Sequence, residues 1–155
     1  MQNGRNETDK ERLDRNLNEL LGELRVVMPG VQVLFAFLLV VPFNQRFADI
    51  TSFEQGVYYV SMLGTGLATA LLMAPGAIHR LEFRADDKEW IVFTGNRLVI
   101  AGFAVLGGAV TSAVLFVTHF VYSDTLAVVT TIVTGIVLFV LWYVVPFARL
   151  RRINR

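Results

Sequence analysis

Leu98–Val121 runs for 24 residues without an Asp, Glu, Lys or Arg, and His119 is its only titratable side chain. A helix rises about 1.5 Å per residue, so this run is roughly 36 Å long as a helix, enough to cross a hydrocarbon core of about 30 Å with some tilt. Lipid offers no partner to a bare amide or carbonyl, so a spanning run must close its hydrogen bonds on itself. Three more apolar runs, over residues 26–45, 57–78 and 126–147, hold no Asp, Glu, Lys or Arg either. The expectation is an all-α integral membrane four-helix bundle seated in a lipid bilayer. These runs also explain why only 17% of the chain is charged, against about 25% in soluble domains.

The chain begins with a polar stretch, residues 1–7, expected to be disordered. Thr8-Asp9-Lys10-Glu11 then reads as a capping box, in which a hydroxyl and a carboxylate three residues apart satisfy two orphan amides. An amphipathic cytoplasmic helix is predicted over residues 8–25. Its stripe is Leu13, Leu17, Leu20, Leu21 and Leu24, with Arg12, Arg15, Asn16, Glu19 and Glu23 on other faces. It can lie on the membrane or pack beneath the bundle. The first apolar run starts at Val26, after a long polar lead and with no small-x-small cleavage site behind it, so it is expected to persist as a span.

Pro29 predicts a bend near the start of span one, and Pro42 its end. Residues 44–56 read as a polar loop with Arg46, Asp49 and Glu54. Span two is crowded with small residues, Gly64 and Ala68 being four apart, which lets helix backbones approach closely. The polar segment 79–97 contains Asp86-Asp87, a predicted helix start from which helix three would run to about Phe120. Ala104, Gly108 and Ser112 share one face of span three, so small-against-small packing of spans two and three is the predicted core contact. The turn Tyr122–Thr125 is too short for anything but an antiparallel neighbour. Span four ends at Trp142, Tyr143 and Pro146, and residues 149–155 form a basic tail.

Four spans place both termini and the segment 79–97 on one side. That side carries 13 of the 14 basic residues, and the other side has Arg46 alone. The positive-inside rule then predicts cytoplasmic termini.

Ion coupling normally uses an ionisable group within the membrane, and none of the four runs contains an acid, Lys or Arg. His119 is expected at the outer interface, and His79 lies at the opposite membrane face, so the two cannot share a metal or form a dyad. Without Cys there is no thiolate nucleophile or thiolate metal site. Neither a glycine-rich dinucleotide fingerprint nor a P-loop occurs. No cofactor, no metal and no catalytic constellation is predicted, and the interleaved charges disfavour nucleic acid.

Two polar groupings remain as candidates. On the cytoplasmic side Arg12, Arg15, Asn16, Glu19, Glu23 and Arg25 would meet His79, Arg80, Asn96 and Arg97, either as a structural clasp or as a partner or ligand site. Within the membrane Gln32, Thr111, Thr130, Thr131 and Thr134 would either bond between helices or line a polar path in an oligomer.

The stretch Arg12-Leu-Asp-Arg-Asn-Leu-Asn-Glu-Leu-Leu-Gly-Glu-Leu-Arg25, with Gly30-Val-Gln32, Pro42-Phe43, Arg46-Phe47-Ala48 and Gly95-Asn96-Arg97-Leu98, resembles a family of small bacterial four-span membrane proteins catalogued as a domain of unknown function. The resemblance covers nearly the whole chain, from Glu7 to Arg152. It implies four spans in a bacterial inner membrane and supplies no catalytic residues; some relatives carry a sodium:proton antiporter label. The function expected is non-enzymatic, through self-assembly or as an accessory subunit of a membrane complex. The alternative is an oligomeric channel or transporter for ions or small solutes.

Overall fold

A computed structural model describes residues 8–82 and 88–153, and among these there is no strand. Helix α1 spans Asp9–Val40, α2 Ser52–Leu81, α3 Lys88–Val121 and α4 Asp124–Phe139; a π turn, Val140–Val144, leads into α5, Val145–Ile153. The expected disordered residues 1–7 and the Asp86-Asp87 helix start lie outside the described residues.

The predicted amphipathic helix and span one form a single helix that passes through Pro29. Its start is the predicted capping box: Thr8 Oγ1 accepts the Glu11 amide hydrogen, and Glu11 Oε2 accepts from the Thr8 amide at 2.8 Å. Its buried residues Leu17, Leu20, Leu24, Val31 and Leu38 carry the amphipathic stripe on into the span. The N-terminal segment therefore packs against the bundle rather than lying flat. Pro42 sits in a short 3-10 turn, Val41–Phe43, where the helix ends as its missing amide hydrogen requires.

α2 and α3 make the central seam. Buried positions on α2 are Glu54, Tyr58, Ser61, Thr65, Ala68, Leu72 and Pro75. On α3 they are Ile91, Gly95, Val99, Gly102, Leu106, Ala109, Ala113 and Phe116. The α2 row, and the α3 row from Gly95 on, step by alternating fours and threes, the spacing that keeps a seam facing its partner in coiled-coil packing. The helices run antiparallel. A methyl placed on Gly64 would come within 3.1 Å of Ala109 Cβ, and one on Gly102 within 2.8 Å of Leu72 Cδ2. α1 lies across the seam, with Leu20 and Pro75 both reaching Gly95, and the Tyr58 hydroxyl donates to the Leu38 carbonyl at 2.9 Å.

The small-residue prediction puts Gly64 and Ala68 of α2 in this contact; Gly64 faces α3 and Ala68 is fully buried. On α3 it needs correcting. Ala104 and Gly108 are exposed and Ser112 is half-buried, while Gly102 and Ala109 face α2. At 3.6 residues per turn, small residues two positions apart stand on different faces, and only packing chooses between them.

α4 packs on α3 and has Ala127 as its one buried residue. Helix does not stop at Pro146, the predicted end of span four, but continues to Ile153. Proline lacks the amide hydrogen, and its ring crowds the carbonyl four residues back. The wider turn just before it, with the Val145 amide bonded to the Val140 carbonyl, accommodates both.

Candidate functional site

At the bundle end away from the termini, α2 opens on a second capping box. Thr51 Oγ1 accepts the Glu54 amide hydrogen at 3.2 Å, and Glu54 Oε2 accepts the Thr51 amide at 2.7 Å and its hydroxyl at 2.8 Å. This hold turns Glu54 inward, leaving its side chain only 8% exposed. Its other oxygen, Oε1, lies 3.0 Å from His119 Nδ1 on α3. His119 Nε2 faces Asp124 Oδ1, 3.5 Å away in the first turn of α4. One imidazole thus joins three helices between two carboxylates, and an imidazolium, with a hydrogen on each nitrogen, can donate to both. Phe53 packs beside the imidazole, and the Arg46 guanidinium lies 4.7 Å above the Phe120 ring.

The sequence assigned Glu54 to a loop and His119 to an outward-facing interface. A signal for the junction was present: Thr51-Ser-Phe-Glu54 repeats the capping-box pattern that located α1. What it could not supply was the partner across the seam. Among the described residues no group of three His, Cys, Asp or Glu is arranged to hold a metal ion.

The opposite end separates the predicted polar cluster. Arg12, Asn16 and Asn96 come together with Asp9 and Glu89 in a cleft of about 600 Å³ between α1 and α3. Arg12 also pairs with Asp9 at 3.1 Å, and Arg15 with Glu19 at 3.6 Å, both along α1. Glu19, Glu23, Arg25, Arg80 and Arg97 are exposed, and His79 is half-buried; none of these six lines the cleft. The ion pair that ties α1 to α3 is one the sequence did not suggest, Lys88 Nζ to Asp14 Oδ1 at 2.7 Å.

The predicted polar lining does not converge either. Gln32 is exposed. Thr111, Thr130 and Thr131 donate to carbonyls on their own helices, at Gly107, Leu126 and Ala127, and Thr134 is half-buried. A hydroxyl inside a helix finds the carbonyl one turn back more readily than a neighbour. Thr130 also makes a 3.4 Å contact with the Thr118 hydroxyl that crosses from α4 to α3.

What remains open is the α3–α4 face. Ala104, Gly108 and Ser112 form one wall of a cleft of about 400 Å³, with Gly135, Phe139 and Trp142 opposite. Nothing lies within 4 Å of a methyl placed on Gly108.

Four antiparallel helices, each long and apolar enough to cross a bilayer, with charges gathered at their ends, define a multi-pass integral membrane protein. The chain belongs to the family of unknown function DUF6328, which it matches over residues 6–146. No curated protein and no solved structure matches it.

Proposed function

We propose that this is a non-enzymatic membrane protein that works by lateral assembly, with the α3–α4 face as its contact surface and a second copy of the chain as the partner. The observation that carries this is the open small-residue wall of Ala104 and Gly108. Helix association in lipid depends on close van der Waals approach, and small residues permit it. Such a face meeting its own copy would make a two-fold contact. The 13-to-1 distribution of basic residues supports cytoplasmic termini, and the resemblance supports a bacterial inner membrane. A solute path has less support, because the hydroxyls that would line it are bonded to their own backbone.

The chain has no Cys, so single cysteines can be placed freely. Gly108→Cys is expected to crosslink to a discrete dimer in native membranes, and Leu67→Cys on the exposed face of α2 is not. Gly108→Leu is expected to give a folded monomer. A wild-type chain that remains monomeric in native lipid defeats the proposal.

A further inference from the structure

At the end of the bundle that carries the termini, α3 and the continuation of α4 enclose a second groove of about 410 Å³. Ile100 and Phe103 form one wall; Trp142, Phe147 and Leu150 form the other. Phe103 and Trp142 meet edge to face at 5.2 Å. Tyr143 adds a hydroxyl, but its hydrogen is donated to the Ile100 carbonyl at 3.3 Å. The remaining side-chain lining is aliphatic or aromatic.

The mouth is different. Arg97 stands three residues before Ile100 on α3, and Arg151 four residues after Phe147 on α5, the spacings that make helix neighbours. Both are exposed, and among the described residues no carboxylate pairs with either. An apolar groove with an arginine beyond each wall, at the level where a spanning helix leaves the membrane, has the charge and the polarity gradient of a phospholipid.

We propose that this groove binds one anionic phospholipid, an acyl chain lying against Phe103, Trp142 and Phe147 and the headgroup phosphate held between Arg97 and Arg151. Guanidinium and phosphate match as a bidentate, charge-assisted pair. Basic pockets between membrane helices use this pairing to select acidic headgroups. The volume falls within the range of ligand sites, about 300–1,000 Å³. The site is complete within one chain; it shares Phe103, Trp142 and Tyr143 with the cleft beside Ala104 and Gly108, so lipid binding and oligomeric state are read separately.

The test is native mass spectrometry of the full-length, detergent-extracted protein titrated with phosphatidylglycerol or with phosphatidylcholine of the same acyl chains. One phosphatidylglycerol is expected to bind at least roughly tenfold more tightly than phosphatidylcholine. Arg97→Gln with Arg151→Gln should abolish that preference. Arg80→Gln with Arg152→Gln removes the same charge at the same end and should leave it intact. Inorganic phosphate should not compete. Circular dichroism confirms that each variant folds, and the mass spectra report oligomeric state separately. Equal binding of the two lipids, equal loss in both double variants, or competition by phosphate alone would each overturn the proposal.

Discussion

His119 Nδ1 lies 3.0 Å from the carboxylate of Glu54, 65 residues away in sequence, and closes the end of the α2–α3 seam. The remaining oxygen of Glu54 is occupied by the Thr51 cap. Every acceptor on this buried acid is therefore assigned, and each partner comes from a different local structure.

Removing the imidazole leaves one oxygen of a buried carboxylate unsatisfied. His119→Leu should cost about 1–3 kcal/mol. Thr51→Ala, which removes a helix cap and the hydroxyl donor together, should cost about 0.5–2 kcal/mol. Glu54→Gln combined with His119→Leu should be less damaging than the sum of the two, since the residues touch. Reversible unfolding in mixed micelles measures all of these. Strict additivity of the pair would show that the contact contributes nothing.

Two glycines on α3 should respond oppositely to the same methyl group. In Gly102→Ala the new Cβ would sit 2.8 Å from Leu72 Cδ2 and 2.9 Å from its Cγ, and Leu72 is fully buried. With no room for Leu72 to swing aside, the expected loss is about 1–3 kcal/mol. Within one chain Gly108→Ala meets open space, so in the dispersed monomer the helix preference for alanine should show as a gain of up to about 1 kcal/mol. Thermal unfolding of the two variants side by side checks the sign of each.

The Asp14–Lys88 pair is short, at 2.7 Å, but its side chains are 49% and 39% exposed. Water screens such a pair, so Lys88→Met should shift stability by only about 0–1 kcal/mol. The small difference from wild type should vanish at high salt, where the Debye length shrinks to about 3 Å. A large, salt-independent loss would mean that Lys88 is held by more than this carboxylate.

Much of the architecture was legible because the bilayer is a strict solvent. Charge-free runs of about 20 residues announce spans whatever their neighbours do. Capping and proline chemistry located the start of α1 and its end at Pro42, since these are local events. Pro146 looked like the same kind of stop, yet a π turn absorbs it and helix continues. That outcome depends on a compensating distortion that no local pattern announces.

The sites were less legible, for a geometric reason. Arg12, Asn16 and Asn96 do meet, because periodicity and a common membrane level bring them near. Arg25, Arg80 and Arg97 share that level but line no part of the cleft. Level is set by position along a helix, whereas contact also needs the rotation of each helix about its axis. The threonine hydroxyls were equally ambiguous, since the same side chain can bond across helices or back along its own.

Hydropathy and charge alone determined four crossings, their antiparallel order and the gathering of basic residues at one end; the first two follow from the cost of placing polar groups in hydrocarbon, the third from the charge bias that orients spans. Tertiary packing alone decided that Gly102 and Ala109 face inward while Ala104 and Gly108 face out. It also decided that an acid from the connecting segment turns in to meet His119. Those choices rest on how whole helices rotate to fit one another, and that fit exists only once all of them are in contact.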